Sequence, residues 1–322
     1  MRILFIYTDY AGRRKRYGKI MEFLGYEVVY FELFNKLAAC QVRKDHIKDI
    51  RPDLVWLLQP SYVANKVIDK ECLDYLKKQN ISLVTYFTFG TDTPYINWLK
   101  HWSRFDFLFV HNIHLHGYLK SNNLNSYYMP VGFYPDMYYP SSGISKTIPV
   151  SFMGSCQTMV DPKKDKRAIY LNALKKYGIH VYGGSFKDRV LPEIFFGDYK
   201  KHEIQRQVYH ESHINLDLPF VNSSRSFYKN IYHIKNRFFE IPATCNFMLT
   251  LRCPEFLNIF DETMVGYYED DAGSLKEMTR KFLAEPKKCQ RMAEKAHKVV
   301  MEKHTFHHRF QEMFSIIEKN QA

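Results

Sequence analysis

At 322 residues the chain is longer than one hydrophobic core readily fills and suits two domains. An apolar share of 46% argues against a disordered chain, and no apolar run is long enough to predict a membrane span. A formal charge of +12 favours anionic partners (nucleic acid, anionic lipid, nucleotide-sugar phosphates or an acidic polymer) without choosing among them.

Six cysteines, Cys40, Cys72, Cys156, Cys245, Cys253 and Cys289, form no C-x-x-C pair and no short-range framework. That pattern fits reduced thiols in a cytosolic compartment. The opening Met-Arg-Ile-Leu-Phe-Ile-Tyr runs straight into strand-like sequence, so no signal peptide is expected. The predicted location is cytoplasmic, at most peripheral to the inner face of a membrane.

In chain order, Arg2 to Tyr7, Glu27 to Glu32, Asp53 to Leu58, Ile81 to Phe87 and Phe105 to Val110 are short β-rich apolar runs. Segments of helical spacing such as Val67 to Lys78 lie between them. That alternation predicts a doubly wound parallel sheet. Tyr127 to Val131 adds a strand, and the Pro-, Tyr-, Ser- and Gly-rich stretch Gly132 to Ser145 is the predicted interdomain linker. A second series begins at Ile148, with Val150 to Met153 entering the turn Gly154-Ser155. It continues through a helix from about Lys164 to Tyr177, a strand from Ile179 to Tyr182 ending at Gly183-Gly184, a helix over Lys201 to Glu211 and a strand over His213 to Leu218. Strands at Phe247 to Leu251 and Met264 to Tyr268 follow, then helices over Ser274 to Ala284, Lys287 to Glu302 and Thr305 to Lys319. In the last helix Phe306, Phe310, Met313, Phe314 and Ile317 form a packing stripe.

Open parallel sheets bind ligands beyond the carboxyl ends of their strands, so the residues just past each strand are the first candidates. Gly154-Ser155 and Gly183-Gly184 occupy such places, where glycine admits close approach of a ligand, or makes an ordinary turn. Neither belongs to a G-x-G-x-x-G or Walker A sequence, which removes the best support for a dinucleotide enzyme or an ATPase. Arg167 sits with Lys163 and Lys164 near a helix start, where cations oppose the helix dipole; a phosphate partner or a solvated charged face accounts for them. In the first half Asp9, Asp92 and His111 follow strands, and a carboxylate or imidazole there suits a general base for a sugar hydroxyl. Helix capping is the better account of Asp9 and stays open for Asp92, which precedes Thr93-Pro94.

The segment Asn236 to Arg252 joins Arg237 and Glu240 to the buried run Phe247 to Leu251. It is expected to set a helix start, with its unpaired N–H groups, at the mouth of a ligand cleft. Arg237 there suits a phosphate and Glu240 a sugar hydroxyl; a buried ion pair between the two is the plainer alternative. The histidine sets His111, His114, His116 and His304, His307, His308 lack a completing carboxylate or thiol, and the chain has no Asp-x-Asp, so no metal site is expected. The run Arg13-Arg14-Lys15-Arg16 beside Tyr10 and Tyr17 suits nucleic acid or an anionic membrane, or is the solvated face of a helix.

Together, Phe152-Met153-Gly154-Ser155, Arg167, Tyr177-Gly178, Tyr182-Gly183, Ile214-Asn215-Leu216-Asp217, Asn236-Arg237-Phe238-Phe239-Glu240-Ile241-Pro242-Ala243, Tyr267-Tyr268-Glu269-Asp270 and His304-Thr305-Phe306 with Arg309 resemble the glycosyltransferases related to the spore-maturation protein CgeB. The likeness is specific from about Ser151 to Arg309 and looser before it, in Pro52-Asp53-Leu54, Asp92-Thr93-Pro94, Phe105-Asp106 and Pro135-Asp136. It implies a GT-B α/β architecture of two Rossmann-like domains facing across a cleft: an acceptor-binding domain over 1–140, a nucleotide-sugar domain over 146–303, and a terminal helix over 304–322 that packs back on the first.

That family is similar to the retaining, metal-independent family-4 glycosyltransferases. The resemblance implies that Glu240 binds the nucleotide ribose and that the Gly154 turn lies beside the diphosphate. Arg167 and Arg237 are the inferred phosphate ligands. The broader superfamily often carries a second glutamate seven residues earlier, where this chain has His233, which leaves the donor-sugar contact and the stereochemical outcome open. A departing nucleoside diphosphate needs its charge stabilised, and without Asp-x-Asp this chain offers arginines and a glycine turn.

The expected function is transfer of a sugar from a nucleotide-diphosphate sugar to a glycan or other acceptor, with Asp92 or His111 orienting or deprotonating that acceptor. A GT-B sugar-nucleotide epimerase is the alternative enzyme. A non-catalytic nucleic-acid-binding protein is the alternative of another class, although no nucleic acid partner is expected.

Overall fold

The computed structural model describes residues 1–7, 15–33, 42–58, 67–87, 99–155, 165–198, 201–220, 232 and 234–321. In chain order its elements are β1 (Arg2–Tyr7), α1 (Lys15–Phe23), β2 (Glu27–Glu32), α2 (Lys44–Ile50), β3 (Leu54–Leu57), α3 (Lys70–Lys78), β4 (Ser82–Phe87), α4 (Leu99–Trp102), β5 (Phe107–Val110), α5 (Ile113–Ser121) and β6 (Ser126–Tyr128). There follow β7 (Ile148–Met153), α6 (Lys166–Ala173), β8 (Ile179–Tyr182), β9 (Phe195–Gly197), α7 (His202–Glu211), β10 (Ser212–Leu216), α8 (Arg237–Ala243), β11 (Met248–Leu251), α9 (Pro254–Leu257), β12 (Gly266–Tyr268), α10 (Ala272–Leu283), α11 (Pro286–Lys303) and α12 (Phe306–Gln321).

The chain divides into two compact units, Met1–Val131 with Phe306–Ala322, and Gly132–Thr305. Each contains a six-stranded sheet, in the orders β2-β1-β3-β4-β5-β6 and β12-β11-β10-β7-β8-β9. The pairings described are all parallel. Helices cover both faces of a parallel sheet, so its inner strands are apolar throughout rather than alternating, as Leu-Val-Trp-Leu in β3 and Phe-Leu-Phe-Val in β5 show. In the second unit strand order reverses between β7 and β10, which places a topological switch point at their carboxyl ends. The matching point of the first unit, past β1 and β3, is flanked by sequence outside the described residues.

The last helix belongs to the first unit. Phe310 of α12 lies 5.3 Å from Tyr17 and 5.4 Å from Trp56, and Phe314 lies 4.0 Å from Tyr26. Arg309 donates from Nε to the Val131 carbonyl at 3.3 Å.

Two expectations differ from what is observed. The stretch read as a linker is packed: Phe133, Met137 and Tyr138 are buried, Tyr138 donates to Gln205 of α7, and Arg206 donates to the Met137 carbonyl at 3.0 Å. Its turn-forming composition concealed the apolar surface of its aromatic rings. The helix read as ending at Tyr177 stops at Ala173, and a 3-10 turn over Lys175–Tyr177 follows, closed by Gly178 at φ 68°. Its start is fixed by Asp165, whose side chain accepts from the Arg167 N–H at 3.0 Å.

Candidate anion-binding site

At the switch point of the second unit, β7 delivers Met153-Gly154-Ser155 and β10 delivers Asp217. Arg237, the first residue of α8, reaches across both. Its Nε lies 3.1 Å from Asp217 Oδ1, a terminal nitrogen donates to the Met153 carbonyl, and the guanidinium carbon stands 4.9 Å from the centre of the Phe152 ring. Asp217 is fully buried, and its Oδ2 accepts from Thr250 Oγ1 of β11 at 3.0 Å. Arg237 is therefore held by a ring, a carbonyl and a carboxylate, an arrangement that a planar multi-donor fork can satisfy and an ammonium cannot.

Arg167 comes from the first turn of α6 and is buried beside it. Its two terminal nitrogens donate to the carbonyls of Ser155 and Phe220. Lys235, just before α8, is the third cation. Burial and the Arg167 and Arg237 guanidinium groups hold its ammonium well below the ordinary lysine range, with Asp217 opposing them. Burial raises the Asp217 carboxyl, against the pull of Arg237 and the Thr250 hydroxyl. The charges of three basic side chains thus act on one buried carboxylate, with Arg237 in direct contact, and Glu240, also buried, follows Arg237 by one helical turn. Crowding that lowers the proton affinity of a lysine marks a place that gains from an arriving anion, whose charge would compensate the cations.

The structure brings together Gly154, Ser155, Arg167 and Arg237, with Glu240 one turn along the helix from Arg237, but changes the part that two features play. The helix start was expected to offer free N–H groups. Instead Phe238 donates to the Lys235 carbonyl, and Phe239 and Glu240 to the Asn236 carbonyl, each at 2.9 Å. Asn236 is already helical, so α8 begins in an overlapping tight turn that uses these donors, which leaves the cationic side chains as the candidate groups for a ligand. Gly154 donates to the Tyr182 carbonyl at 3.1 Å, and its missing side chain makes room for Arg237: a Cβ there would stand 2.6 Å from Nη1. The ion-pair partner observed for Arg237 is Asp217.

Gly183 and Gly184 end β8, on the far side of β7 from Asp217. Gly183 has φ 139° and donates to the Gly197 carbonyl at 2.7 Å, so it serves the join of β8 to β9. In the first unit His111 follows β5, buried, with Nδ1 3.0 Å from the Phe87 carbonyl. Asp92, Asp9, His233 and Arg13-Arg14 lie outside the described residues.

The histidine sets are dispersed: His116 bonds Ser126 at 3.1 Å, His304 stacks on Phe239 at 4.8 Å, and His307 meets Phe23 edge-on at 5.1 Å. Among the described residues no group of three His, Cys, Asp or Glu side chains is placed to hold a metal ion. Burial pushes the thiols of Cys72, Cys253 and Cys289 up to about 12, which leaves them protonated and unreactive. No helix among the described residues is long and apolar enough to cross a membrane.

Residues 166–315, which carry these cations, match the family model described as glycosyl transferase-like. No curated protein matches the sequence. Solved structures similar to the chain include the sucrose-phosphate synthase of Thermosynechococcus elongatus, 11% identical with TM-score 0.67 over 100% of this chain and 99% of the other. The fold is GT-B. A glycosyltransferase from Rickettsia africae shares it at 12% identity and TM-score 0.66, covering 99% of this chain and 98% of that one. So does HepE of Anabaena, solved with UDP and glucose, at 11% identity and TM-score 0.64, covering 99% and 100%.

Within this GT-B chain, sequence reasoning missed Asp217 and Lys235 as parts of the cluster. For Asp217 the signal was present: an acidic residue at the carboxyl end of an apolar strand, the same rule that singled out Asp9, Asp92 and His111. Lys235 carried no such mark, because the charges that act on it, those of Arg167 and Asp217, are remote in sequence.

Proposed function

We propose that this chain is a glycosyltransferase that moves a sugar from a nucleoside-diphosphate sugar to an acceptor. The observation that carries the reading is the cluster of Arg167, Lys235 and Arg237 around Asp217 at the switch point of the glycosyl transferase-like unit. A leaving nucleoside diphosphate develops negative charge as the glycosidic bond breaks, and fixed cations in a buried setting stabilise it without reorganising. The second terminal nitrogen of Arg237, together with Lys235, is assigned to the diphosphate, and Glu240 to the ribose. UDP is the first donor base to test, since HepE was solved with it.

The finer assignments are that the enzyme is a hexosyltransferase of the CgeB-like kind, works without a divalent cation and retains anomeric configuration. Acceptor contacts are assigned to the first unit, with His111 or Asp92 orienting the hydroxyl. The basic run around Lys15 suits loose contact with an anionic membrane.

Thermal shift against a panel of nucleoside diphosphates and their sugars tests the reading, because a ligand of the folded state must raise the melting temperature. One family of nucleotides is expected to stabilise the protein, and chelator is expected to leave both stabilisation and transfer unchanged. Arg237→Ala is expected to lower transfer by roughly 100-fold or more with the fold retained. Full transfer by that variant refutes the site, and rapid conversion of a nucleotide sugar with no acceptor present indicates an epimerase instead.

A further inference from the structure

A buried ion pair contributes little net stability compared with apolar residues of the same shape. The Asp217–Arg237 pair is nevertheless built with care. Asp217 has no exposed surface; one carboxylate oxygen meets Arg237 Nε at 3.1 Å and the other is fixed by Thr250 Oγ1 at 3.0 Å. The Tyr268 hydroxyl approaches the Asp217 carbonyl at 3.5 Å, so its main chain is steadied from β12 as well. On the other side Phe152 and the Met153 carbonyl limit the guanidinium, and Gly154 offers no side chain to deflect it.

Electrostatically, Asp217 is out of place in a site for an anion. A carboxylate among Arg167, Lys235 and Arg237 weakens the attraction that those cations exert on a diphosphate. Its geometry supplies the compensation. The ion-pair contact at Nε and the hydrogen bond from one terminal nitrogen leave the other terminal nitrogen as the group to meet a ligand.

We propose that Asp217 is the positioning residue of the donor site: it fixes the plane of Arg237 so that the guanidinium meets the departing diphosphate, at the expense of ground-state attraction. This rests on the reading of the cluster as a diphosphate site. Two effects of opposite sign follow for Asp217→Asn, which keeps the shape and removes the charge. The site becomes more positive, so nucleoside diphosphate binds as tightly as to the wild type or more so, with a steeper salt dependence. Arg237 loses its anchor, so the rate falls, because misplacement on the order of 1 Å costs up to about 100-fold. A purely structural role would lower melting temperature and weaken binding together.

The experiment uses the full chain. Calorimetric titration with UDP, GDP, ADP and CDP identifies the nucleotide, and hydrolysis of the corresponding sugar nucleotide without acceptor gives kcat by release of nucleoside diphosphate. Asp217→Asn is expected to show kcat about 10- to 100-fold lower, with Kd unchanged or smaller. Thr250→Val, which retains the carboxylate and frees one of its oxygens, is expected to lower kcat severalfold with Kd unchanged, and it decides the matter if Asp217→Asn does not fold. Unchanged kcat in the variants that fold, or a Kd weakened in step with kcat, overturns the positioning role alone. Failure of the wild type to bind any of the four nucleotides overturns the diphosphate reading and this proposal with it.

Discussion

Replacing Gly154 with alanine tests the geometry of the cluster more directly than removing a charge. The added Cβ would stand 2.6 Å from Arg237 Nη1, 2.7 Å from Phe152 Cζ and 2.9 Å from Phe152 Cε1. Gly154 is not among the positive-φ glycines, so contact rather than backbone strain sets the cost. Something has to move, and neither neighbour is free to do so cheaply. The guanidinium is tied to Met153 and Asp217, and the Phe152 ring is fully buried with an edge-on contact to Phe186 at 5.7 Å. Overpacking of this kind costs about 1–3 kcal/mol, which for a unit of this size lowers the melting temperature by roughly 3–9 °C. If Arg237 is the group that yields, loss of one charge-assisted hydrogen bond, worth about 1.5–3 kcal/mol, weakens nucleotide binding by about 10- to 100-fold. Gly184→Ala is the control: its Cβ meets Asp198 Oδ2 at an ordinary 3.6 Å, so stability should stay within about 0.5 kcal/mol of the wild type. Differential scanning calorimetry and isothermal titration on the two variants provide the comparison. Wild-type melting temperature and wild-type affinity in Gly154→Ala would refute the claim that Arg237 is held over this turn.

Arg237→Lys retains the charge but cannot serve Met153, Asp217 and a ligand at once, so transfer should fall nearly as far as in Arg237→Ala; a variant within about twofold of the wild type would show that charge alone suffices. Lys146 donates to the Ser212 carbonyl at 2.7 Å, Asn246 Oδ1 at 2.8 Å and the His210 carbonyl at 3.3 Å, while burial pushes its ammonium down to about 8. Because the unfolded chain keeps that proton to about pH 10.4, stability should rise by about 3 kcal/mol between about pH 8 and 10.4. Urea unfolding across that range should show the rise in the wild type and not in Lys146→Met; parallel slopes would exclude Lys146 as its source. Phe310→Ala empties a fully buried site beside Tyr17 and Trp56 and should destabilise the first unit by about 3–5 kcal/mol, as read by hydrogen exchange at β1 and β3. Nucleotide affinity of the folded variant should be unchanged, and a matching loss of affinity would contradict the placement of the donor site wholly in the second unit.

Much of this architecture is legible in the residues because a parallel sheet buries each inner strand on both faces. Val-Ser-Phe-Met and Met-Leu-Thr-Leu announce β7 and β11 by composition, and the alternation with helical spacing announces the class. Edges announce themselves poorly. The strand β9 is only Phe-Phe-Gly at the margin of its sheet, paired to β8 through an irregular register, and no period can be read from it. Arg167 and Arg237 were readable as cations near strand ends, but not what holds them. The bonds from Arg167 to Phe220 and from Arg237 to Met153 span 53 and 84 residues, and no local pattern records them. For the same reason the room that Gly154 leaves for Arg237, a side chain that arrives much later in the chain, could not be read from the turn itself.

The return of α12 to the first unit has a consequence for biosynthesis. A ribosome releases β1 through β6 long before it makes Phe306, Phe310 and Phe314, yet those rings are what cover the buried Tyr17 and Trp56 and pack on the half-buried Tyr26. Domains ordinarily fold in the order in which they emerge. Here the amino-terminal half stays open along one flank through most of synthesis, so the carboxyl-terminal half, continuous from Gly132 to Thr305, is positioned to finish folding first. Nascent chains stalled ahead of codon 306 should therefore expose an aromatic seam to chaperones, and a break near the 3′ end of the message would harm the half of the protein encoded at its start.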